Sequence, residues 1–466
     1  MKNFLHLLAR FGALALPILF LSACATPQMD LPTSIGTDIA ARTGVKPAWS
    51  GIDSTDTRDG KSLRAAAAVA LPNPLNEVDA VAIALDASPD IARMLAETDA
   101  LRSQAIEIAT PLNPVLNFSS GVPLDSLGVV PIFAMLMVQI DELWKQPIRS
   151  ESARDSYEAA LLSLGAEAVA LANQTRSLWH ELFLREQECT LATNDIALTE
   201  PLLAWARDRV QAGEGDENAV AKAQSVYADA LRRGALATEM RDFAKLSLMA
   251  MLGRAEASVD WSVGSADPTA MHAIHAALAD ESKLLDRLAQ SRLDVRAAQA
   301  REKAAHGRLV LAQQSRLGQI QLGAGWERTL ENQQALGVAA NIELPIFNIG
   351  SMRIAKASAD YRAATIAAEK VRQTAIIELR SSLVKAMSAQ KRHDFSELTQ
   401  VNPAIETVQR MNKAMQAGEM AERDSIDAQH SLTLARLELT GLERERRSSR
   451  LALSKAAGFL PTEEFP

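Results

Sequence analysis

The chain has 466 residues, enough for two or three ordinary domains or for one elongated unit. Hydrophobic residues make up 48% of it and aromatic residues only 4%, which favours closely packed helices rich in Ala and Leu over an aromatic-rich globule. The net charge of -8, without any basic run, argues against a nucleic-acid partner.

The N-terminus has the pattern of a lipoprotein signal. A short basic start precedes an apolar core at residues 11–21, too short to span a bilayer comfortably. The core ends in LSAC, where small residues precede Cys24, the cysteine that would receive diacylglycerol. An ordinary secretory signal with an incidental cysteine is the alternative. The sequence predicts a signal peptide over residues 1–23 and lipidation of Cys24. Ala25, where inner-membrane lipoproteins usually have Asp, predicts anchoring in the lipid of the outer membrane.

Residues 24–73 are rich in Pro, Gly, Thr, Asp and Ser and show no sustained period, so we expect an extended leader with little core of its own. A helical pattern then runs from Asn76 to about Thr110 and tolerates Pro89.

The period then changes from helix to strand. Leu116 and Phe118 alternate with polar residues, and the even-numbered residues from Ala134 to Ile140 form one apolar face. The intervening turn residues predict that the two strands form a hairpin.

A second helical stretch covers roughly residues 150–212, and Pro201 is expected to kink or split it. The tetrapeptide QAGE at residues 211–214 breaks this helix. A return helix from about Glu217 to Leu252 follows, and Gly253 closes it.

The same order of elements recurs about 205 residues later. QAGE occurs again at residues 416–419, 205 positions after the first copy, and other matching anchors keep offsets of 204 or 205. These anchors are Asp90 with Asp294, Tyr157 with Tyr361, and Gly253 with Gly458. A second alternating hairpin is expected at residues 320–326 and 335–344. The chain is therefore interpreted as a tandem duplication.

The predicted boundaries follow from this repeat. The first repeat covers residues 74–260, a linker covers 261–280, the second repeat covers 281–460, and a tail covers 461–466. The fold class is mainly α with a small β part. Four strands cannot close a membrane barrel, because open sheet edges are not tolerated in lipid. Three protomers would supply a 12-stranded transmembrane β-barrel above a trimeric α-barrel of long helical hairpins. A soluble sheet capping a helical bundle is the alternative.

Several segments resemble the outer membrane factor (TolC-like) family over roughly residues 75–460. They are LSAC, the duplication, LDVRAAQAREKAAHGRLVLAQ, ELPIFNIGSM and the two AGE turns that precede helices. The resemblance implies a homotrimeric channel-tunnel in the outer membrane that crosses the periplasm. It also implies a periplasmic adaptor protein and an inner-membrane pump, of the RND or the ABC type, as partners.

The resemblance also implies where the site residues lie. Family members close their periplasmic end with aspartates in a G-x5-D-x-x-D pattern, and Asp424 and Asp427 follow Gly418 at that spacing. A solvated acidic helix start is the alternative. The expected adaptor contacts are the hairpin tips, Ala212, Gly213, Glu214, Ala417, Gly418 and Glu419.

The two tips are not expected to be equivalent. At the common offset Asp424 corresponds to Ala219 and Asp427 to Lys222, so the first tip is predicted to dock and the second to carry the gate. Two features depart from the family pattern. The glutamates after both glycines leave the adaptor specificity undetermined, and the segment LWKQPIRSES leaves the structure of the barrel rim undetermined.

The cargo is not encoded in a recognisable motif. Met411, Met415 and Met420 near the second tip could offer thioethers to Cu(I), but helical Met is more often core filler. His272 and His275 form a weaker metal candidate in the linker. No catalytic residues, cofactor or metal site are predicted, so we do not expect an enzyme. The family resemblance implies a passive efflux channel. A type I protein secretion duct and a lipid-anchored coiled-coil scaffold are the alternatives.

Overall fold

The structure is a computed structural model that describes residues 35–49, 60–121, 129–265, 288, 292–316, 318–329, 331–346 and 349–458. It is mainly helical, with a small antiparallel sheet, as the sequence predicts. The signal segment, Cys24, most of the linker and the C-terminal tail lie outside the described residues.

The elements follow the predicted repeated order. In chain order they are α1 Gly36–Thr43, α2 Gly60–Ala67, α3 Glu77–Ala87, α4 Pro89–Ala109, β1 Val115–Ser120, β2 Ile132–Gln139, α5 Glu142–Gln211, α6 Glu217–Met251, α7 Leu293–Gln314, β3 Ile320–Arg328, β4 Gln334–Ile342, α8 Ser351–Ser396, a π-helix Glu397–Val401, α9 Asn402–Gln416 and α10 Glu422–Ala457.

The chain forms two compact units that cut across the predicted repeats. Within the described residues, unit 1 contains Glu97–Leu161 and Arg296–Lys370. Unit 2 contains Ser34–Ala96, Leu162–Val295 and Val371–Pro466. Each unit therefore takes corresponding parts of both repeats, and neither repeat forms a unit alone.

Unit 1 contains a four-stranded antiparallel sheet in the order β1-β2-β3-β4. Both predicted hairpins are present, and β2 pairs with β3 over eight residues, which joins the first repeat to the second. Gly323 of β3 lies opposite Met137, where an added Cβ would collide with the methionine sulfur. Glycine at this position therefore lets the buried Met137 side chain lie against the neighbouring strand.

Apolar side chains of the sheet are exposed to an unusual degree. Leu336 and Val338 of β4 are 85% and 90% exposed, and Leu116 and Phe118 of β1 are also largely exposed. The alternation that predicted these strands therefore presents an apolar face outward instead of toward a core of the same chain. In a soluble domain, contiguous apolar surface of this kind marks an interaction surface.

The helical part of unit 1 packs through close backbone approaches. The Ser152 hydroxyl donates to the Ala304 carbonyl at 2.8 Å, and a Cβ added to Gly307 would come within 2.9 Å of the Ser152 Cβ. Small residues thus let α5 and α7 approach closely, so these helices pack tightly without large aromatic side chains.

Unit 2 is held together by two apolar clusters of long helices. One cluster centres on Trp179, Leu182, Leu248 and Trp261, and the Trp179 indole donates to the Leu75 carbonyl at 2.9 Å. The other combines Leu288 with residues of α7, α8 and α10, namely Val295, Ala375, Leu379, Ala386, Leu453, Ala456 and Ala457. The large side chains thus lie where several helices meet.

The prediction of an extended leader over residues 24–73 is wrong for its described part. Residues 36–43 and 60–67 are helical, Ile39 and Trp49 are buried, and the Trp49 indole donates to the Leu85 carbonyl at 3.0 Å. The composition of this segment did not indicate a packed structure, because its buried contacts come from a few widely spaced apolar residues.

The long helix α5 also differs from expectation. It begins at Glu142 instead of about residue 150 and continues without interruption through Pro201 to Gln211. The flanking Thr199, Leu203 and Ala206 are buried, so packing compensates for the hydrogen bond that Pro201 cannot donate. The irregular helical segment lies in the second repeat, where residues Glu397–Val401 form a π-helix between α8 and α9, just before Pro403.

Among the described helices, none combines the length and the apolarity needed to cross a membrane.

Candidate functional site at the helical hairpin tips

The first tip is a hydrogen-bonded helix end followed by a sharp reversal. The backbone N–H of Gly213 donates to the Val210 carbonyl at 3.0 Å, and that of Glu214 donates to the Arg209 carbonyl at 3.0 Å. These two bonds define a Schellman motif, which requires a left-handed residue after the helix. Gly213 has a φ of +77° and supplies it.

The second tip repeats this arrangement. Gly418 donates to the Met415 carbonyl at 3.0 Å, Glu419 donates to the Ala414 carbonyl at 2.9 Å, and Gly418 has a φ of +74°. The two QAGE segments are therefore structural equivalents. All six residues predicted as tip contacts are exposed: Ala212, Gly213, Glu214, Ala417, Gly418 and Glu419.

The return helices begin differently at the two tips. The Asp216 carboxylate caps α6 by accepting from the Asn218 backbone N–H at 3.1 Å. At the corresponding start of α10 stands Ala421, which has no side-chain oxygen to offer. The acidic residues of α10 thus lie inside the helix, where they complement its positive N-terminal end without capping it.

The two predicted gate residues lie in the first two turns of α10, and both are exposed. The Asp427 carboxylate lies 3.7 Å from Nε of Arg423, one turn earlier on the same helix. Asp424 is part of the first turn, where its backbone N–H donates to the Ala421 carbonyl at 3.1 Å. The ring of six carboxylates stays a prediction, since it concerns several protomers.

Trp205 connects the two hairpins near the tips. Its ring has the Arg209 guanidinium on α5 at 5.2 Å and the Arg423 guanidinium on α10 at 4.7 Å. Both distances are within the range of a cation–π contact. Because Arg423 also faces Asp427, the gate candidate is coupled to the first hairpin through an arginine and a tryptophan.

A cavity of about 390 Å³ lies between the tips, in unit 2. Ala219 and Lys222 line it together with Asp427. The repeat offset pairs Asp427 with Lys222 in sequence, and the fold brings these two positions to one cavity. Asp424 does not line it, so the two aspartates do not have the same surroundings.

A buried carboxylate fixes three helices beneath this cavity. Asp195 on α5 is 0% exposed. Its two oxygens lie 2.5 Å from Nδ1 of His430 on α10 and 2.7 Å from a guanidinium nitrogen of Arg233 on α6. A charge removed from water is stable only when it is paired and hydrogen-bonded, and these partners meet that need.

Sequence reasoning missed Trp205, Arg423 and Asp195. Trp205 is one of six tryptophans and lies eight residues before Gly213, which could have marked it as part of the tip. Asp195 gave no usable signal, because the partners that make it distinctive come from α6 and α10.

The structure describes only some of the weaker cargo candidates. Met411, Met415 and Met420 are partly exposed, whereas His272 and His275 lie outside the described residues. Cys189 is half-buried and its sulfur lies 3.5 Å from the Thr238 hydroxyl, in keeping with a packing role.

Comparison with known proteins gives one sequence-based finding. Residues 284–459, most of the second repeat, match the family model described as Outer membrane efflux protein. No curated protein matches the chain.

Solved structures give the fold. The Neisseria gonorrhoeae outer membrane channel MtrE, in its open state, has a TM-score of 0.64 at 19% identity and covers 83% of this chain and 90% of its own. The Vibrio cholerae outer membrane protein VceC has a TM-score of 0.63 at 18% identity, with coverage of 82% and 95%. The Campylobacter jejuni outer membrane channel CmeC has a TM-score of 0.64 at 15% identity, with coverage of 83% and 87%.

Proposed function

We propose that this chain, whose residues 284–459 match the family model of outer membrane efflux proteins, is the channel-tunnel subunit of a tripartite efflux system. Three copies would conduct substrates passively from the periplasm or from an inner-membrane pump to the exterior. Lipidated Cys24 would anchor each copy in the outer membrane.

The observation that carries this proposal is the sheet of unit 1. Within the described residues its outer strands, β1 and β4, each pair with one strand only, and their apolar side chains are exposed. Open edges are not tolerated in lipid, so the sheet needs neighbours. Three copies joined edge to edge give a closed, even-numbered barrel of twelve strands.

The hairpin tips supply the control point of the proposed channel. Asp424 and Asp427 from three copies would place six carboxylates around one constriction and hold cations there. The exposed QAGE turns would receive the α-hairpins of a periplasmic adaptor. The first tip has Ala219 and Lys222 in place of the aspartates, so its main role would be to dock with the adaptor.

Single-channel recording in planar bilayers tests the gate. Wild-type currents should be blocked by a multivalent cation added on the periplasmic side. The double variant Asp424→Asn/Asp427→Asn removes the carboxylate charges with little change of shape. It should raise the half-blocking concentration at least tenfold, which corresponds to about 1.4 kcal/mol of lost cation binding.

Glu217→Gln is the matched control, because it removes one exposed acidic charge from the start of the first return helix. It should leave the block unchanged. Unaltered block in the double variant would refute the gate assignment. Absence of any current from an assembled trimer would refute the channel and favour the lipid-anchored scaffold.

A further inference from the structure

A histidine at the end of α8 lies among carboxylates that have no role in the proposed channel. His393 is buried, and its Nδ1 lies 3.4 Å from Oδ1 of Asp394 and 3.9 Å from Oε2 of Glu397. The three ligand atoms lie within 4.8 Å of one another. His393 and Glu397 are four residues apart, so one turn of helix brings them to the same face.

These distances fit the coordination shell of a small divalent cation. Zn²⁺ binds imidazole nitrogen and carboxylate oxygen at about 2.0–2.1 Å, so two ligands at the tetrahedral angle lie about 3.4 Å apart. The separation of 3.4 Å between His393 and Asp394 has this value, and that of 3.9 Å to Glu397 closes with a small rotation of an exposed side chain.

The far side of the imidazole is oriented as in metal-binding histidines. Nε2 of His393 lies 3.4 Å from Glu443 on α10. Glu443 accepts hydrogen bonds from Arg446 at 2.5 Å and from Arg447 at 2.6 Å, which fix its carboxylate. A carboxylate that accepts from one ring nitrogen leaves the lone pair of the other nitrogen available to a metal.

The two ligand carboxylates differ in how they are held. Asp394 accepts from the Gln390 side-chain amide at 2.6 Å, a support that metal-ligating carboxylates commonly have. Glu397 is the first residue of the π-helical segment, and such segments occur often at functional sites. When Nε2 carries the proton, Nδ1 offers its lone pair toward both carboxylates, and one bound cation would satisfy all three groups.

We propose that His393, Asp394 and Glu397 bind one first-row divalent cation, with Zn²⁺ as the representative, and that Glu443 positions the histidine. The donor set of one imidazole and two carboxylates matches this class of metal. The ion would fix the π-helical turn of the second hairpin and, through the contact of His393 with Glu443, link it to α10. This role is independent of conduction by the channel.

The duplication gives the expected stoichiometry. At an offset of 205 the three ligand positions correspond to Glu188, Cys189 and Ala192, which lack a histidine. The Glu188 carboxylate forms ion pairs with Arg185 and Arg444. The site therefore occurs in one repeat only, and one ion per chain is expected.

Isothermal titration with Zn²⁺ at pH 7 tests the proposal on the full chain in detergent after chelator treatment. The background variant carries His272→Ala/His275→Ala and Asp424→Asn/Asp427→Asn, which remove the linker histidines and the proposed gate carboxylates as competing sites. One ion per chain should bind, and His393→Gln, Asp394→Asn and Glu397→Gln should each weaken binding at least tenfold. Glu443→Gln should weaken it about 10- to 100-fold, as expected for a residue that positions a ligand.

His306→Gln is the matched control, because this exposed histidine makes an edge-to-face contact with Tyr361 and takes no part in the site, so the affinity should not change. X-ray absorption of the Zn²⁺ complex should show only nitrogen and oxygen ligands, with an imidazole signature that His393→Gln removes. Absence of saturable binding would overturn the proposal and leave the contact of Nδ1 with Asp394 as a hydrogen bond alone. Zn²⁺ binding of wild-type strength in both His393→Gln and Glu397→Gln would also overturn it.

Discussion

At the scale of single residues, the tips depend on polar groups that reach between helices. Asp195 is buried on α5 and is paired with Arg233 of α6 and His430 of α10. Above it, Arg423 lies over the ring of Trp205 and faces Asp427. Asp195 therefore sets the spacing of the hairpins on which the gate candidate rests.

Asp195→Asn should destabilise unit 2. The substitution removes the negative charge but leaves Arg233 and His430 near a buried site, and breaking a buried pair typically costs about 3 kcal/mol or more. Unfolding by denaturant, followed by helical circular dichroism, measures the change. The matched control is Asp229→Asn, whose contact with Arg232 is exposed and 3.5 Å long. The control should shift the free energy of unfolding by less than about 0.5 kcal/mol. Equal shifts in the two variants would contradict this role of Asp195.

At the scale of elements, the two hairpins end in the same turn because helix ends have local rules. Each long helix leaves carbonyl groups without partners, and a glycine in the left-handed conformation allows the next N–H groups to satisfy them. Gly213 and Gly418 fulfil this at positions where an added Cβ would touch nothing within 4 Å. A side chain at either position would therefore lower the stability only through backbone strain and not through a steric clash.

Gly418→Ala should lower stability by about 1 kcal/mol, because an L-residue is strained at a φ of +74°. Gly418→Asn should cost less, since asparagine adopts this conformation more readily. Gly337→Ala is the control, because its Cβ also has open space but its φ is not positive. Thermal unfolding of the three variants measures the order. A cost for Gly337→Ala as large as that for Gly418→Ala would show that the φ value is not the cause.

At the scale of the whole molecule, the repeats are interleaved. Hairpin β1-β2 comes from the first repeat and β3-β4 from the second, and their pairing forms one sheet whose outer strands have one partner each within the described part of the chain. Exposed Leu336 and Val338 then give the sheet an apolar face that fits a lipid environment better than water.

Val338→Asp should impair insertion into the outer membrane. A charged residue on the lipid face near the bilayer midplane costs up to about 2–4 kcal/mol, with Asp at the lower end. The trimer band on an unheated gel and the fraction of protein in the membrane pellet should both fall. Asn341→Asp lies on the opposite face of the same strand by parity and should leave both readouts unchanged. Full insertion of Val338→Asp would mean that this face does not contact lipid.

The sequence by itself determined what depends on short-range order. The strand and helix periods, the two glycine turns and the constant offset of about 205 residues are local properties of the chain, so the repeated order of elements could be predicted. The positions of Asp424 and Asp427 just after the second turn followed from the same spacing, and their role in a gate stays a prediction.

Only the tertiary structure decided how these pieces meet. The pairing of β2 with β3, the contacts of Asp195, the cavity that Ala219 and Asp427 share, and the course of α5 through Pro201 all depend on residues far apart in the chain. Long-range pairing and packing energies override local propensity, and no pattern within one segment encodes its partner. The contact of His393 with Glu443 of another helix likewise depends on the tertiary structure.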